Sequence, residues 1–225
     1  MTQYDEPTLA EDLLLLLFQP SSGTIAGENT LFYALGGAVL ADLALQGHVT
    51  VDESSGGKLA TAGNEPPADP ALRSAWDYID EKQRRVQTVL AAIGPALRQP
   101  LLQRLIDRGD LTQVQRKTLL VFTTTALQEG GNGRRAELLA AVRGALVDGG
   151  EPTARVAALA ALISGSGTLP QFHREIPWNS AVISRAKELE RGNWGAGAAA
   201  EAVTRTVTAT VVNNVVIAAA VRPPT

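Results

Sequence analysis

Hydrophobic residues along this chain recur mostly at helical spacing. The clearest case is the segment 30–46, where every fourth residue is apolar: Leu31, Leu35, Val39 and Leu43. Residues four apart lie on one face of a helix, so this segment predicts a helix. Upstream, Thr8 and Glu11 form a T-x-x-E capping box, whose side chains satisfy free backbone N–H groups at a helix start. The capping box predicts a first helix over about 9–18, stopped by Pro20.

Helical spacing continues downstream and is interrupted by proline and glycine. It predicts a helix over 71–92, a restart forced by Pro95, and a helix over 97–108. Further helices are predicted over 134–147, 152–163, 180–191 and 198–220. The valine and threonine content of the last segment favours a strand, whereas its length and its many alanines favour a helix.

Two segments favour β-structure. Residues 48–52 alternate between apolar and polar side chains, and the run 58–61 follows two glycines, which together predict a β-hairpin. The segment 111–126 begins polar and ends in a β-favouring run that either pairs with residues near Leu127 or packs as an extended loop. We therefore expect a mainly α, single-domain helical bundle with surrounding amphipathic helices and one or two small β-hairpins. The domain is expected to span 1–225, with its core at about 8–220.

The composition excludes several classes of protein. The 225 residues include no cysteine, which excludes disulfides, thiolate catalysis and cysteine-bound zinc. The leucine-rich run 13–18 is too short to span a bilayer, and the acidic N-terminal segment lacks the positive charge of a signal peptide. We therefore expect a cytoplasmic protein. The net charge of −3 argues against a nucleic-acid-binding domain, which is usually strongly basic.

The small net charge hides an uneven distribution. Residues 1–80 carry two basic and twelve acidic side chains, whereas residues 81–225 carry eighteen basic and eleven acidic ones. The basic excess is densest over 82–117, where eight Lys and Arg residues stand against Asp107 and Asp110. One interpretation is an ordinary solvated face. The other is a surface attracted to an anionic membrane, where each Lys or Arg contributes roughly 1 kcal/mol.

Candidate catalytic residues are few. Neither His48 nor His173 stands at a metal-ligand spacing such as H-E-x-x-H. Glu11 and Asp12 are adjacent on a predicted helix and point in different directions, so they are interpreted as first-turn acids that favour the helix dipole. The glycine-rich segment 130–135 opens a helix but lacks the Lys-Ser/Thr of a P-loop, and is interpreted as a flexible turn. We expect no enzymatic activity, no metal and no cofactor.

The three tryptophans are the remaining singular residues. Trp76 fits the apolar face of a predicted helix, whereas Trp178 and Trp194 stand beside a proline and a glycine in predicted turns. An aromatic ring in a turn either packs against the protein or dips into a membrane interface. The sequence leaves both interpretations open and favours packing.

Three stretches resemble the Golgi phosphoprotein 3 family. They are the opening 8–48, with TLAEDLLLLLF and ADLALQGH; the basic helix over 97–111, ending in DRGDL; and LLVFTTT at 119–125, which resembles the stretch before the family's projecting β-hairpin. The similarity covers roughly 8–220, and the sixteen arginines to four lysines resemble an actinobacterial member. Eukaryotic members bind phosphatidylinositol 4-phosphate on membranes, so the resemblance implies a lipid head group as ligand.

The same resemblance implies where the lipid site lies. In the eukaryotic members a tryptophan and three arginines form the phosphate pocket. Aligned by the second helix, the tryptophan position falls at Gly27 and the first arginine at Gly36. Aligned by the Gly109 turn, the other two arginines fall at Pro95 and Arg98, so only Arg98 is retained. Because a charge-assisted hydrogen bond to phosphate contributes about 1.5–3 kcal/mol, the two lost arginines weaken the expected site.

Two hypotheses of function follow, and an enzyme with a metabolite pocket lined by His173 or Glu175 is a less favoured third. The first is a non-enzymatic peripheral membrane protein that binds anionic, phosphatidylinositol 4-phosphate-like head groups through a basic face including Arg98. The second is a soluble scaffold or regulatory domain that has kept the fold, lost the lipid site and binds protein partners. Nucleic acid is not expected as a partner. The identity of the lipid and homo-oligomer formation are left open.

Overall fold

A computed structural model describes residues 6–63, 65–118, 122–192 and 198–220. These residues form eight α-helices: α1 (Leu9–Leu17), α2 (Leu31–Leu45), α3 (Pro70–Asp80), α4 (Val86–Asp107), α5 (Arg134–Leu146), α6 (Ala154–Gly165), α7 (Ser180–Glu190) and α8 (Ala198–Ala220). They also form seven short strands: β1 (Phe18–Gln19), β2 (Thr24–Ile25), β3 (Val49–Asp52), β4 (Lys58–Thr61), β5 (Arg84–Arg85), β6 (Leu111–Thr118) and β7 (Phe122–Glu129). One hydrophobic cluster extends from Leu9 to Val211. The mainly α, single-domain fold is confirmed.

Helix α1 begins at the predicted capping box. The Thr8 hydroxyl accepts a hydrogen bond from the Glu11 backbone N–H at 3.3 Å, and the Glu11 carboxylate accepts one from the Thr8 backbone N–H at 2.8 Å. Every residue from Leu9 to Leu17 is buried. A helix that is buried all round lies in the interior of a fold, so α1 is a core helix and not an amphipathic surface helix.

Helix α2 lies at the centre of the bundle. It contacts α1, α3, α4, α6 and α8, and all of its residues from Ala34 to Ala44 are buried. The apolar stripe predicted for this segment therefore understates its burial, because the alanines and glycines between the leucines also face neighbouring helices. Small residues let helix backbones approach closely. An added Cβ on Gly37, for example, would lie 3.1 Å from side chains of both Leu162 and Val211.

Helix α4 runs without a break through both of its prolines, and the predicted restart at Pro95 is wrong. Pro95 and Pro100 lie on the exposed side of the helix. The carbonyl groups that lose their helical partners there can bind water instead. On the opposite side, Leu90, Leu97 and Leu101 are buried. Burial of these leucines offsets the two missing backbone hydrogen bonds.

The predicted helix over 71–92 is interrupted at 81–85, and residues 86–92 are helical but belong to α4. Helix α3 ends at Asp80, and the strand β5 intervenes before α4 begins. Arg84 explains the break, because its guanidinium lies 3.9 Å from the Tyr78 ring centroid and also donates a hydrogen bond to the Tyr78 carbonyl. This contact folds the chain back over the end of α3. Strand β5 then pairs with β4, with Arg85 opposite Lys58.

Three small antiparallel sheets complete the described part of the chain. The predicted hairpin at 48–61 is confirmed as β3 and β4, and β5 adds a third strand to it. Strands β6 and β7 form a longer hairpin, with Leu111 opposite Glu129. The β-favouring run is therefore paired, but its predicted partner is wrong: Leu127 lies on the same strand, and residues 122–125 of the run pair with residues 115–118. The short β1–β2 pair, with Phe18 opposite Ile25, was not predicted. Among the described residues, no helix is both long and apolar enough to cross a membrane.

Candidate functional site

Arg98 lies on α4 and faces the loop that precedes α2. Its Nε is 2.7 Å from Oε1 of Glu28, and its Nη2 is 3.5 Å from Oε2 of the same residue. The side chain of Arg98 is 35% exposed and that of Glu28 is 52% exposed. The guanidinium is therefore reachable from solvent, but its charge is partly neutralised by an intramolecular carboxylate. An anionic ligand must displace Glu28 or bind beside it.

The structure brings only some of the four positions assigned by the resemblance close together. Arg98 reaches Glu28, the residue after Gly27, at the corner where the loop before α2 meets the middle of α4. Gly36 packs against α4, where an added Cβ would lie 3.7 Å from Cα of Gly94. Pro95 is exposed, and Gly27 lies against Thr168.

Glycines at this corner let α2 and α4 approach closely. A Cβ added at Gly36 would lie 3.1 Å from Cδ2 of Leu90, and one added at Gly94 would lie 3.0 Å from the carbonyl carbon of Phe32. Both distances are shorter than comfortable carbon–carbon contacts. The space that an arginine would need at position 36 is occupied in this chain by α4. Position 36 therefore cannot supply an arginine here, and Arg98 is the one cationic residue among the four positions.

A buried set of ion pairs lies where α1, α2, α4, α5 and α6 meet. We call it the arginine–carboxylate cluster, and its members are Glu11, Asp12, Asp42, Asp69, Asp110, Arg104, Arg108, Arg134 and Arg155. Glu11 has no exposed surface and lies 2.9 Å from Nη2 of both Arg104 and Arg108. Asp12 accepts a hydrogen bond from Nε of Arg155 at 2.8 Å and also pairs with Arg134. Interpreting Glu11 and Asp12 as simple first-turn acids was therefore incomplete.

Two carboxylates of the cluster have shifted pKa values. Burial raises the pKa of Asp12, and the adjacent Arg155 and Arg134 oppose the shift. Burial also raises the pKa of Asp42, which is opposed by the Leu9 backbone N–H and by Arg155. The hydrogen bond from Leu9 to Asp42 is 2.7 Å long. Because every carboxylate of the cluster is engaged by a donor, the cluster links helices that are distant in sequence.

The raised pKa of Asp42 predicts a specific pH dependence. Its folded-state pKa lies above the unfolded value, so the folded state binds more protons and this group's contribution to stability falls as pH rises above about 4. Asp42→Asn removes the titration. We expect the stability of this variant relative to wild type to rise between about pH 4 and pH 7, measured by urea unfolding at several pH values.

Asp52 supplies a control of opposite sign. Hydrogen bonds from Ser54 lower the pKa of this exposed carboxylate, so its contribution is present above the unfolded pKa and is lost as pH falls. Asp52→Asn should therefore lose stability relative to wild type as pH rises towards about 4, and the difference should stay nearly constant between about pH 4 and pH 7. A pH-independent difference between Asp42→Asn and wild type would contradict the prediction.

Comparison with known proteins identifies the family. The family model for Golgi phosphoprotein 3 (GPP34) matches residues 9–206. The chain belongs to the Golgi phosphoprotein 3 family. No curated protein matches the chain. Family membership confirms the resemblance based on the capping box, the second helix and the DRGDL turn.

In the Golgi phosphoprotein 3 fold, five of the eight basic residues of 82–117 face different surroundings. Arg104 and Arg108 point into the arginine–carboxylate cluster, and Arg84 packs on the ring of Tyr78. Arg98 pairs with Glu28. Arg85 is exposed at the start of α4. The side chains of these residues therefore do not form one continuous basic face, and the simple picture of a membrane-attracted stripe is wrong for Arg104 and Arg108.

The glycine-rich segment 130–135 contains the predicted turn before α5 and also contacts the arginine–carboxylate cluster. Asn132 Nδ2 donates a hydrogen bond of 2.7 Å to Oδ1 of Asp110, and Arg134 pairs with both Asp110 and Asp12. Arg135 donates from Nε to the Phe18 carbonyl at 3.0 Å. The sequence carried no signal for these contacts, because the partners lie up to 122 positions apart.

Other candidate residues do not assemble into a site. His173 is exposed in the loop before α7, and no group of His, Asp or Glu within the described ranges can hold a metal ion. Trp76 belongs to the core, as predicted. Trp178 is 52% exposed, which opposes the packed interpretation for that ring. Trp194 lies outside the described residues.

Proposed function

We propose that this member of the Golgi phosphoprotein 3 family is a non-enzymatic, cytoplasmic peripheral membrane protein. It binds anionic, phosphatidylinositol 4-phosphate-like head groups through the corner around Arg98. The observation that carries the proposal is the position of Arg98. It is a solvent-reachable arginine of α4, adjacent to the loop before α2, in a family whose eukaryotic members bind this lipid.

The chemistry of the corner fits a weak phosphate contact. A guanidinium presents a planar fork of N–H donors that matches phosphate oxygens. The exposed ion pair with Glu28 stabilises the fold by less than about 1 kcal/mol, so a phosphate can displace the carboxylate at small cost. With one arginine at the corner, affinity depends on the membrane's surface potential as well as on the head group.

A prediction about binding follows from the opposite charges of the pair. Arg98→Gln is expected to weaken co-sedimentation with phosphatidylinositol 4-phosphate vesicles by about tenfold. Glu28→Gln removes the competing carboxylate and is expected to strengthen binding by about fivefold. The measurement is vesicle co-sedimentation at two salt concentrations, with phosphatidylcholine vesicles as the neutral reference.

A charge-matched control separates the site from general attraction. Arg174 is exposed on a loop, and Arg174→Gln removes the same charge as Arg98→Gln. If both variants lose binding equally, the protein is attracted to the bilayer without a head-group site. If wild type and Glu28→Gln both remain in the supernatant at low salt, the lipid proposal is wrong.

The second candidate function is a scaffold or regulatory domain that has lost the lipid site. Two observations favour it: Gly36 is packed against α4, and Arg98 is already paired with Glu28. A stable complex with a protein partner, recovered without lipid from cells and retained by Arg98→Gln, would support this candidate.

A further inference from the structure

A groove of about 900 Å³ lies between α3 and α4. The two helices are antiparallel, since Asp69 at the start of α3 pairs with Arg104 near the end of α4. Neither Arg98 nor Glu28 lines the groove, so it is separate from the Arg98 corner. Its volume falls within the range of about 300–1,000 Å³ that is usual for small-molecule sites.

Apolar side chains of α4 form the floor of the groove. They are Ala92, Ile93, Ala96, Leu97, Pro100 and Leu101. Ala92, Ala96 and Pro100 are exposed, although the exposed positions of a surface helix usually carry polar or charged side chains. From residue 92 to residue 104 the floor extends about 18 Å along the helix axis, which is comparable to an extended fatty-acyl chain. The floor therefore fits a long apolar chain.

Four charged residues line the groove, two of each sign, and two of them have intramolecular partners. Arg104 pairs within the arginine–carboxylate cluster, and Glu81 lies 3.3 Å from Arg84. The other two, Arg73 and Asp77, are exposed, and neither has an ion-pair partner among the described residues. The lining therefore has no net charge, and it offers one cation and one anion to a ligand.

Arg73 and Asp77 do not pair with each other, although they stand one helical turn apart. Helix side chains lean towards the helix N-terminus, and Nε of Arg73 donates a hydrogen bond of 2.8 Å to the Pro67 carbonyl on that side. Residues four positions apart on a helix have Cβ atoms about 5–6 Å apart. A phosphate and an ammonium group joined by two carbons, as in phosphocholine, span a similar distance.

We propose that the α3–α4 groove binds a single-chain zwitterionic amphiphile of the lysophospholipid class. The Nη groups of Arg73 bind the phosphate, since a guanidinium fork matches phosphate oxygens. The Asp77 carboxylate binds the ammonium group, and the acyl chain lies along the apolar floor. Burial of the chain supplies most of the affinity, and the two charges set its orientation. The ligand is a monomer and not a bilayer, because a lining without net charge does not attract an anionic membrane.

The test is an NMR titration of the full ¹⁵N-labelled chain with dodecylphosphocholine, kept below the concentration at which it forms micelles. Saturable shifts are expected for the backbone amides of Ser74, Ile93 and Ala96, which line the groove. Phosphocholine, the head group alone, should bind at least about tenfold more weakly, because it lacks the apolar chain. Dodecyl maltoside has the same chain and an uncharged head group, and should bind about fivefold more weakly.

Substitutions separate the two parts of the site. Arg73→Gln and Asp77→Asn should each weaken dodecylphosphocholine binding by about threefold to fivefold and leave dodecyl maltoside binding unchanged. Ala96→Glu, at an exposed position, should abolish binding of both detergents, because it places a charge beneath the chain. Arg174→Gln removes the same charge as Arg73→Gln at an exposed position outside the groove, and should bind like wild type.

Three results would overturn the proposal. The first is dodecylphosphocholine binding of wild-type affinity in Ala96→Glu, or no shift at the groove in wild type. The second is equal affinity for the two detergents together with wild-type binding in Arg73→Gln and Asp77→Asn, which would mean that no zwitterionic head group is recognised. The third is a concentration-dependent shift of the same amides without detergent, which would mean that a second copy of the chain occupies the groove. Arg98→Gln should bind dodecylphosphocholine like wild type, so this proposal and the one for the Arg98 corner fail separately.

Discussion

Gly130→Ala is expected to destabilise the protein by more than about 3 kcal/mol. An added Cβ would lie 2.7 Å from the carbonyl carbon of Gly109 and closer still to its oxygen. The obstruction is backbone, so no side chain can rotate away from it. The base of the β6–β7 hairpin would have to open, and Asp110, which is 1% exposed and pairs with Arg134, would move with it. Urea unfolding measures the effect.

Gly144 supplies the matched control for this prediction. An added Cβ at Gly144 has no heavy atom within 4 Å, and alanine is the better helix former, so Gly144→Ala should stabilise α5 by about 0.5–1 kcal/mol. If Gly130→Ala unfolds at the same urea concentration as wild type, the close approach of Gly130 to Gly109 is incorrect.

The second large effect is expected at Glu11. Glu11→Gln removes the negative charge between Arg104 and Arg108, and both guanidinium groups are mostly buried, with 22% and 26% of their side chains exposed. Breaking a buried ion pair from one side destabilises by about 3–5 kcal/mol. We expect the free energy of unfolding to fall by about 3 kcal/mol, the lower end of this range, because Arg104 remains paired with Asp69. Urea or thermal unfolding of the purified variant measures it.

The control for Glu11→Gln is an exposed ion pair of the same chemical type. Glu188 lies 3.1 Å from Arg185 on the surface of α7 and is 58% exposed. Glu188→Gln should change the free energy of unfolding by less than about 0.5 kcal/mol. Similar effects of the two substitutions would mean that burial of the arginine–carboxylate cluster has no energetic consequence.

Local signals in the sequence predicted the elements that depend on neighbours in sequence. Thr8 and Glu11 located the start of α1, and the alternation after His48 located the β3–β4 hairpin. Pro95 misled, because the cost of a proline within a helix is local, whereas here burial of Leu90, Leu97 and Leu101 offsets it and keeps α4 continuous. That burial depends on the neighbouring helices, which local spacing does not reveal.

The candidate sites were predictable to different degrees. Arg98 came from the family resemblance, and no local pattern distinguishes it from Arg104 or Arg108. What separates these arginines is the element each one faces: Glu28 before α2 for Arg98, and Glu11 inside α1 for the other two.

The pairing of Asp12 with Arg155 has a consequence for how the chain is made. The two residues are 143 positions apart. At synthesis rates of about 5–20 residues per second, the ribosome therefore adds Arg155 roughly 7 to 30 seconds after Asp12. During that time the α1 segment, with its five consecutive leucines, has no α6 to pack against. A nascent chain of this kind presents an apolar segment that a ribosome-associated chaperone can bind.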